Sequence, residues 1–157
     1  MKLSVVLCCV YLLVGCKSHK KMVEKNVESG IKSTSQQIFE FEKTSCYGSC
    51  PAYKVVVFEN DSLSYEGLKF VAKQGNIAKK LPKGTVNQLV KQFKEANFFN
   101  FQNQYTSNVA DFPTTYISFT DKGVTKKIKD YYQAPERLKR LETLISDLVK
   151  DEVELKN

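Results

Sequence analysis

The chain has 157 residues, no tryptophan and a single histidine, His19. The shortage of histidine excludes a good deal of chemistry, because a general base poised near neutrality is most often an imidazole. A Ser-His-Asp or Cys-His centre would need a histidine inside a folded domain, and His19 lies in a polar stretch near the N-terminus. There is no glycine-rich phosphate-binding run and no internal repeat strong enough to use. The apolar, uncharged run from Leu3 to Val14 has twelve residues. That is too short to cross a hydrocarbon core, which takes about 20 apolar residues. What is present is one domain's worth of chain, 42% hydrophobic, with 24 basic against 17 acidic residues for a net charge of +7. Five cysteines, an odd number, remain to be explained.

Met1-Lys2 is a short positive start, and the twelve-residue run after it has the length of a signal-peptide apolar region, ~7–15 residues. It ends in Leu13-Val14-Gly15-Cys16, which resembles the lipobox of bacterial lipoproteins. The resemblance implies that residues 1–15 are a signal peptide, that the Cys16 thiol receives a diacylglycerol, and that Cys16 becomes the acylated first residue of the mature chain. The plainer alternative is an ordinary secretory signal with Cys16 merely nearby. Each buried methylene contributes ~0.8 kcal/mol, so two or three acyl chains hold a protein at a membrane effectively for good. Losing Lys2 lowers the side-chain balance from +7 to +6.

Residues 16–37 read as a lipidated N-terminus and flexible tether: polar, with isolated apolar residues that cannot offset the entropy of ordering. Lys17, Lys20 and Lys21 lie beside the anchor, where each can gain ~1 kcal/mol from anionic lipid. A merely solvated linker is the competing reading. Some bacterial surface lipoproteins carry an acidic export signal just after the lipidated cysteine. None follows Cys16, which implies the cell envelope, with the chain anchored in the outer membrane and facing the periplasm.

From residue 38 to 153 the pattern is that of a single small α+β domain. Ile38 to Lys43 alternates without cleanly sorted faces, whereas Ala52 to Glu59 is a strong β-branched and aromatic strand. Asn60-Asp61 supplies turn chemistry before a hairpin partner at Leu63 to Val71, in which Gly67 suggests a bulge, and Lys73 to Leu81 reads as a further strand. Pro82-Lys83-Gly84 stops it. Thr85 with Gln88 has the spacing of a capping box, and Val86, Leu89, Val90 and Phe93 predict an amphipathic helix over 85–97. Phe98, Phe99 and Phe101 are expected to plug that helix onto the sheet. Thr114 to Thr120 and Gly123 to Asp130 form a second hairpin. Pro135 opens a last helix at its first position, with the stripe Leu138, Leu141, Leu144, Ile145, Leu148 and Val149. Short turns make neighbouring strands antiparallel, so the expectation is an antiparallel sheet of about five or six strands with two helices, in the order β-β-β-(β)-α-β-β-α.

Cys46-Tyr47-Gly48-Ser49-Cys50-Pro51 is the one motif with chemical content. If Cys8 and Cys9 leave with the signal peptide and Cys16 takes lipid, Cys46 and Cys50 are the remaining thiols, and an exported pair at this spacing is expected to form a disulfide. In so short a loop the bridge contributes only ~2 kcal/mol through chain entropy. Two rival readings stand beside it. The Cys-x-x-x-Cys-Pro segment is similar to that of copper-delivery proteins with a thioredoxin-like fold, where a distal histidine completes the site; here His19 lies in the tether and a strand follows Pro51. A redox-active pair would want a helix N-terminus or a cationic neighbour to lower a thiol pKa. No cofactor and no resident metal are expected.

The Cys-x-x-x-Cys-Pro-x-Tyr box, with Phe41-Glu42-Lys43-Thr44 before it, resembles the opening of an uncharacterised bacterial lipoprotein domain family. Tyr65-Glu66-Gly67, Asp111 with Pro113-Thr114-Thr115, and Asp130-Tyr131-Tyr132 ahead of Ala134-Pro135 extend the resemblance over roughly residues 37–150. It supports the α+β fold and implies no reaction. Tyr105, Asp111, Tyr131 and Tyr132 are the candidates for a polar-aromatic ligand groove, against the alternative that these aromatics are core. Asp111 and Asp130 are a candidate acid–base pair, with nothing in the sequence to set their separation. The basic clusters Lys79-Lys80-Lys83 and Lys126-Lys127-Lys129 invite a nucleic-acid reading that export removes. Anionic lipid, a cell-wall polymer or an acidic envelope protein fits better. The expected function is a membrane-anchored envelope lipoprotein with a non-catalytic binding or structural role; the alternative is a thiol-redox or copper-handling factor using Cys46 and Cys50.

Overall fold

The structure is a computed structural model, and it describes residues 35–108 and 111–154. The lipobox, Cys16, His19 and nearly all of the tether lie outside the described residues. Among those that are described, no helix is long and apolar enough to cross a membrane.

The chain forms β1 (Gln37–Lys43), β2 (Ala52–Phe58), β3 (Ser62–Lys69), β4 (Gly75–Lys80), α1 (Thr85–Glu95), a 3-10 turn at Phe98–Asn100, β5 (Gln104–Tyr105), β6 (Thr115–Asp121), β7 (Val124–Asp130), α2 (Glu136–Asp147) and α3 (Lys150–Val153). The strands make one mixed sheet in the order β4-β3-β2-β1-β6-β7-β5, antiparallel throughout except where β5 joins β7 in parallel. The α+β class expected from sequence is therefore correct, with seven strands and three helices rather than five or six and two. The additions are β5, two residues long and paired through Gln104–Lys129 and Tyr105–Asp130, and α3, a single turn. Neither carries a periodic signal of its own.

One face of the sheet is buried under the helices. Phe39 and Phe41 on β1, Val55 and Val57 on β2, Leu63 and Tyr65 on β3, Ile117 and Phe119 on β6 and Ile128 on β7 point there, and all are essentially inaccessible to water. So β1, which looked unsorted in sequence, does sort: its phenylalanines go in and Glu40 and Glu42 go out. On the outer face Glu40 meets Lys127 (3.5 Å) and Glu42 meets Lys54 (3.9 Å). Phe39 stacks on Phe119, its direct partner on the adjacent strand β6, centroids 5.1 Å apart, and Phe93 of α1 closes over both at 4.6 and 5.3 Å. Phe98 joins this cluster as expected, whereas Phe99 stays about 38% exposed.

Two helix starts differ from the sequence reading. Thr85 is not the N-cap of α1: Gly84 holds that position with φ 87°, and the Thr85 hydroxyl donates to the Pro82 carbonyl instead (2.7 Å). The missing cap arrives from the β2–β3 turn, where the Asp61 carboxylate accepts the amides of Gly84 and Val86, each at 2.8 Å. Those two bonds hold the Asp61 carboxyl below the usual carboxylate range. The helix also ends two residues early, at Glu95, because Asn97 adopts φ 54°. Pro135 precedes the first turn of α2 rather than occupying it, with an extended backbone, and its carbonyl accepts the amides of Leu138 and Lys139.

The expected bulge is present at Gly67. Tyr53 pairs with Gly67 and Ala52 with Lys69, so Leu68 is the extra residue. Glycine is required because a Cβ here would lie 2.1 Å from the Lys73 carbonyl oxygen, which accepts the Tyr65 hydroxyl at 3.1 Å. The same hydroxyl reaches the Glu152 carbonyl (3.3 Å), and the amides of Ala72 and Lys73 bond to the carbonyls of Val153 and Glu152. The β3–β4 connection is thereby stitched to α3.

Candidate ligand groove

Strand β7 delivers Asp130 on the same side as Ile128, that is, into the core. The chain then turns through Tyr131 and Tyr132, whose amides both bond to the Tyr105 carbonyl of β5 (2.9 and 3.3 Å), and through Gln133 at φ 60°. It re-enters as α2, whose residues Lys139, Glu142, Thr143 and Ser146, at helical spacing, face back toward the loop. Between them lies a groove of about 460 Å³. Phe112, Tyr131 and Tyr132 form its aromatic wall, with the Phe112 ring 5.4 Å from Tyr132 and edge-on to Tyr131 at 6.5 Å. Lys43, at the end of β1, stands half-buried at its side, and its ammonium has no partner among the described residues.

The floor is a charged cluster. The Asp130 side chain is wholly inaccessible and that of Glu142 only 8% exposed, yet both face one lysine. Lys139 donates to Asp130 Oδ2, and its Nζ lies 3.5 Å from Glu142 Oε2. Asp130 Oδ1 and Glu142 Oε1 are buried without any other donor among the described residues. Burial pushes the Glu142 carboxyl up to about 8, helped by the Asp130 charge and opposed by Lys139. Burial and the neighbouring Asp130 charge thus favour the protonated form of Glu142 near neutral pH. Burial works against the charge on Lys139, but the bond to Asp130 and the charges of both carboxyl groups outweigh it and raise the ammonium above its ordinary range.

Of the residues singled out in the sequence, Tyr131 and Tyr132 line the groove. Tyr105 supports it from behind: its carbonyl holds both tyrosine amides, and its hydroxyl accepts the Gln102 amide (3.1 Å). Asp111 is exposed, at φ 68°, and does not line it. Asp130 is paired with Lys139, which also faces Glu142, and not with Asp111. Lys139 and Glu142 escaped the sequence reading, although a signal existed. Glu142 is four residues after Leu138 and three before Ile145, on the apolar stripe of α2, and Asp130 keeps the inward phase of Ile128.

Cys46 and Cys50 form a disulfide, with Cα atoms 5.6 Å apart. It closes the β1–β2 connection, which contains no helix, and it leaves Tyr47 93% exposed. The stem of this connection is tied to the groove: the Thr44 amide bonds to the Thr114 carbonyl, and the Thr44 hydroxyl accepts the Thr114 amide, both at 2.9 Å. No group of three or more histidine, cysteine or acidic side chains among the described residues is arranged to hold a metal ion.

Residues 37–149 match the family described as Domain of unknown function (DUF6438). The chain belongs to that family. The matched span starts at the first residue of β1 and ends at Val149, so the DUF6438 domain contains the whole sheet, the disulfide and every residue that lines the groove. No curated protein matches the chain.

Proposed function

We propose that this chain is a lipoprotein of the bacterial cell envelope, anchored through Cys16 to the outer membrane on its periplasmic side, whose DUF6438 domain is a non-catalytic binding module. The groove carries the binding half of this reading. It places an aromatic wall of Phe112, Tyr131 and Tyr132 beside the unpaired ammonium of Lys43, over a floor in which Lys139 is already paired with Asp130. Such a surface binds by stacking and hydrogen bonding, and the Thr143 and Ser146 hydroxyls on its wall donate to helix carbonyls instead of to a base. The lipobox at Leu13–Cys16 and a disulfide, which persists in oxidising compartments, support export. A cell-wall polymer, an envelope protein or an anionic lipid is the class of ligand the groove suits.

A photo-crosslinking side chain placed at Tyr132 in living cells tests the binding half. A discrete adduct that disappears with Lys43→Glu supports it, and the absence of any adduct other than background sinks it. Anchoring is tested apart from this by Cys16→Ala: release from the membrane fraction after a salt wash is expected, and retention there overturns the anchor. The rival thiol-redox or copper-handling reading predicts a Cys46–Cys50 bridge that mild reductant opens, or a chain that takes up Cu(I) once reduced; thiol counting and metal titration decide it.

A further inference from the structure

In the meander β1-β2-β3-β4 the first and third connections must leave the same end of the sheet, and the second the other. That places the disulfide-closed tip of residues 44–51 beside the β3–β4 tip of residues 70–74. Most of the exposed large apolar surface in this half of the sheet gathers there: Tyr47 is 93% exposed, Leu68 41% and Phe70 46%. None of the three sits there passively. Tyr47 is held out by the Cys46–Cys50 bridge, Leu68 is the extra residue of the bulge, and Phe70 is held at φ 53°, a backbone conformation that a bulky side chain rarely adopts. Lys43, Lys69 and Lys73 accompany them, and none of these ammonium groups has a partner among the described residues. Neither tip contains a carboxylate. On the neighbouring α3 Glu152 is bound to Lys79, and just after it Glu154 to Lys150, leaving Asp151, with Asp147 at the end of α2, as the exposed acids near three free cations.

We infer that these two tips dock the domain onto an anionic bilayer surface, with Tyr47, Leu68 and Phe70 entering the head-group layer and Lys43, Lys69 and Lys73 meeting lipid phosphates. Aromatic side chains settle at the membrane–water interface, and each lysine near an anionic surface adds ~1 kcal/mol. The shape favours lipid over protein: two narrow projecting tips suit a soft, laterally mobile layer, whereas a protein partner needs a continuous complementary area of about 1,000 Å² or more. The inference does not require lipid on Cys16. It is compatible with such an anchor, since the twenty residues between Cys16 and Gln37 can reach up to about 70 Å, well beyond the ~23 Å length of β1 that separates its start from these tips.

Because the chain has no tryptophan, Tyr47→Trp and, independently, Phe70→Trp each introduce a single fluorescent reporter. The full chain carrying either change is reconstituted into vesicles of zwitterionic lipid alone or with one-third anionic lipid. Blue-shifted emission and quenching by brominated acyl chains, in the anionic vesicles and from both reporters, are the expected result. Adding Lys69→Gln and Lys73→Gln is expected to lower the ratio of docked to free domain by about thirtyfold. Solvent-like emission in both vesicle types overturns the inference. So does a blue shift that is independent of lipid charge, or one already present in detergent without vesicles, which would indicate contact between copies of the chain or with another protein.

Discussion

The Asp61 carboxylate, at the tip of the β2–β3 turn, accepts the amide of Val86, twenty-five residues later in the chain, at 2.8 Å. A second bond from the Gly84 amide makes Asp61 the N-terminal cap of α1, supplied by a neighbouring turn instead of the residue before the helix. The contact fixes where α1 starts over the sheet, and with it the seat of Phe93 in the aromatic cluster.

Asp61→Ala should therefore lower the urea midpoint at pH 7 without changing the slope, because the helix loses a cap but the folded state stays as compact. Asp61→Asn should recover only part of the loss, since its single amide oxygen can accept one of the two bonds, while it tolerates the φ of 55° found here. Two variants of equal stability would mean that the cap is not what Asp61 contributes. The pH sign follows from its lowered carboxyl: its contribution is present above the unfolded carboxylate value and is lost as pH falls through the folded one. The gap between wild type and D61A should close in acid.

Gly67→Ala tests the stitching of the β3–β4 tip to α3. The added methyl would meet a backbone oxygen, the Lys73 carbonyl, and not the end of a yielding side chain. Overpacking of that kind costs ~1–3 kcal/mol, and the displaced segment carries the bonds from Ala72 and Lys73 to α3. Faster amide exchange at residues 72–73 together with a lower unfolding midpoint is expected. Loss of global stability with unchanged exchange there would place the strain elsewhere.

The α+β class, most of the strands, both longer helices, the bulge and the Cys46–Cys50 pair were legible because each rests on local chemistry: alternation, helical spacing, turn residues, two cysteines. What escaped depends on distance in sequence. The motif Thr85-x-x-Gln88 looks like a complete cap, and nothing local reveals that Asp61 displaces it. Strand β5 is two residues long and exists only because β7 offers an edge. The groove was half legible, since Tyr131 and Tyr132 stood out as paired aromatics. Its floor was not, because a glutamate on an apolar stripe becomes informative only once Asp130 and Lys139 are known to face it.

The disulfide is expected to behave as a staple. Replacing both Cys46 and Cys50 by serine removes the restraint on a very short loop, for which the chain-entropy estimate is ~2 kcal/mol. The double variant should fold with a lower urea midpoint, and its β1–β6 amides should exchange as in the wild type, because the Thr44–Thr114 bonds lie outside the bridge. Complete unfolding of the double variant would assign the bridge a larger part in holding the fold.

Glu142 gives the clearest dependence on pH. Its carboxyl is raised from 4.5 to about 8 in the folded protein, so the folded state binds a proton more tightly than the unfolded chain does. The resulting stability is fully present below the unfolded value and declines as pH rises from about 4.5 until Glu142 ionises near 8. A shift of this size corresponds to a few kcal/mol. Glu142→Gln keeps the shape and a donor toward Asp130 but has nothing to ionise. Between pH 5 and 9 the wild type should lose stability in denaturant titrations, while E142Q should stay nearly flat and be the more stable of the two at pH 9. Carbon-13 spectra of the side-chain carboxyl groups should show one glutamate titrating several units above the rest, and it should be missing from E142Q. Parallel curves for the two proteins would mean that Glu142 is ionised throughout this range.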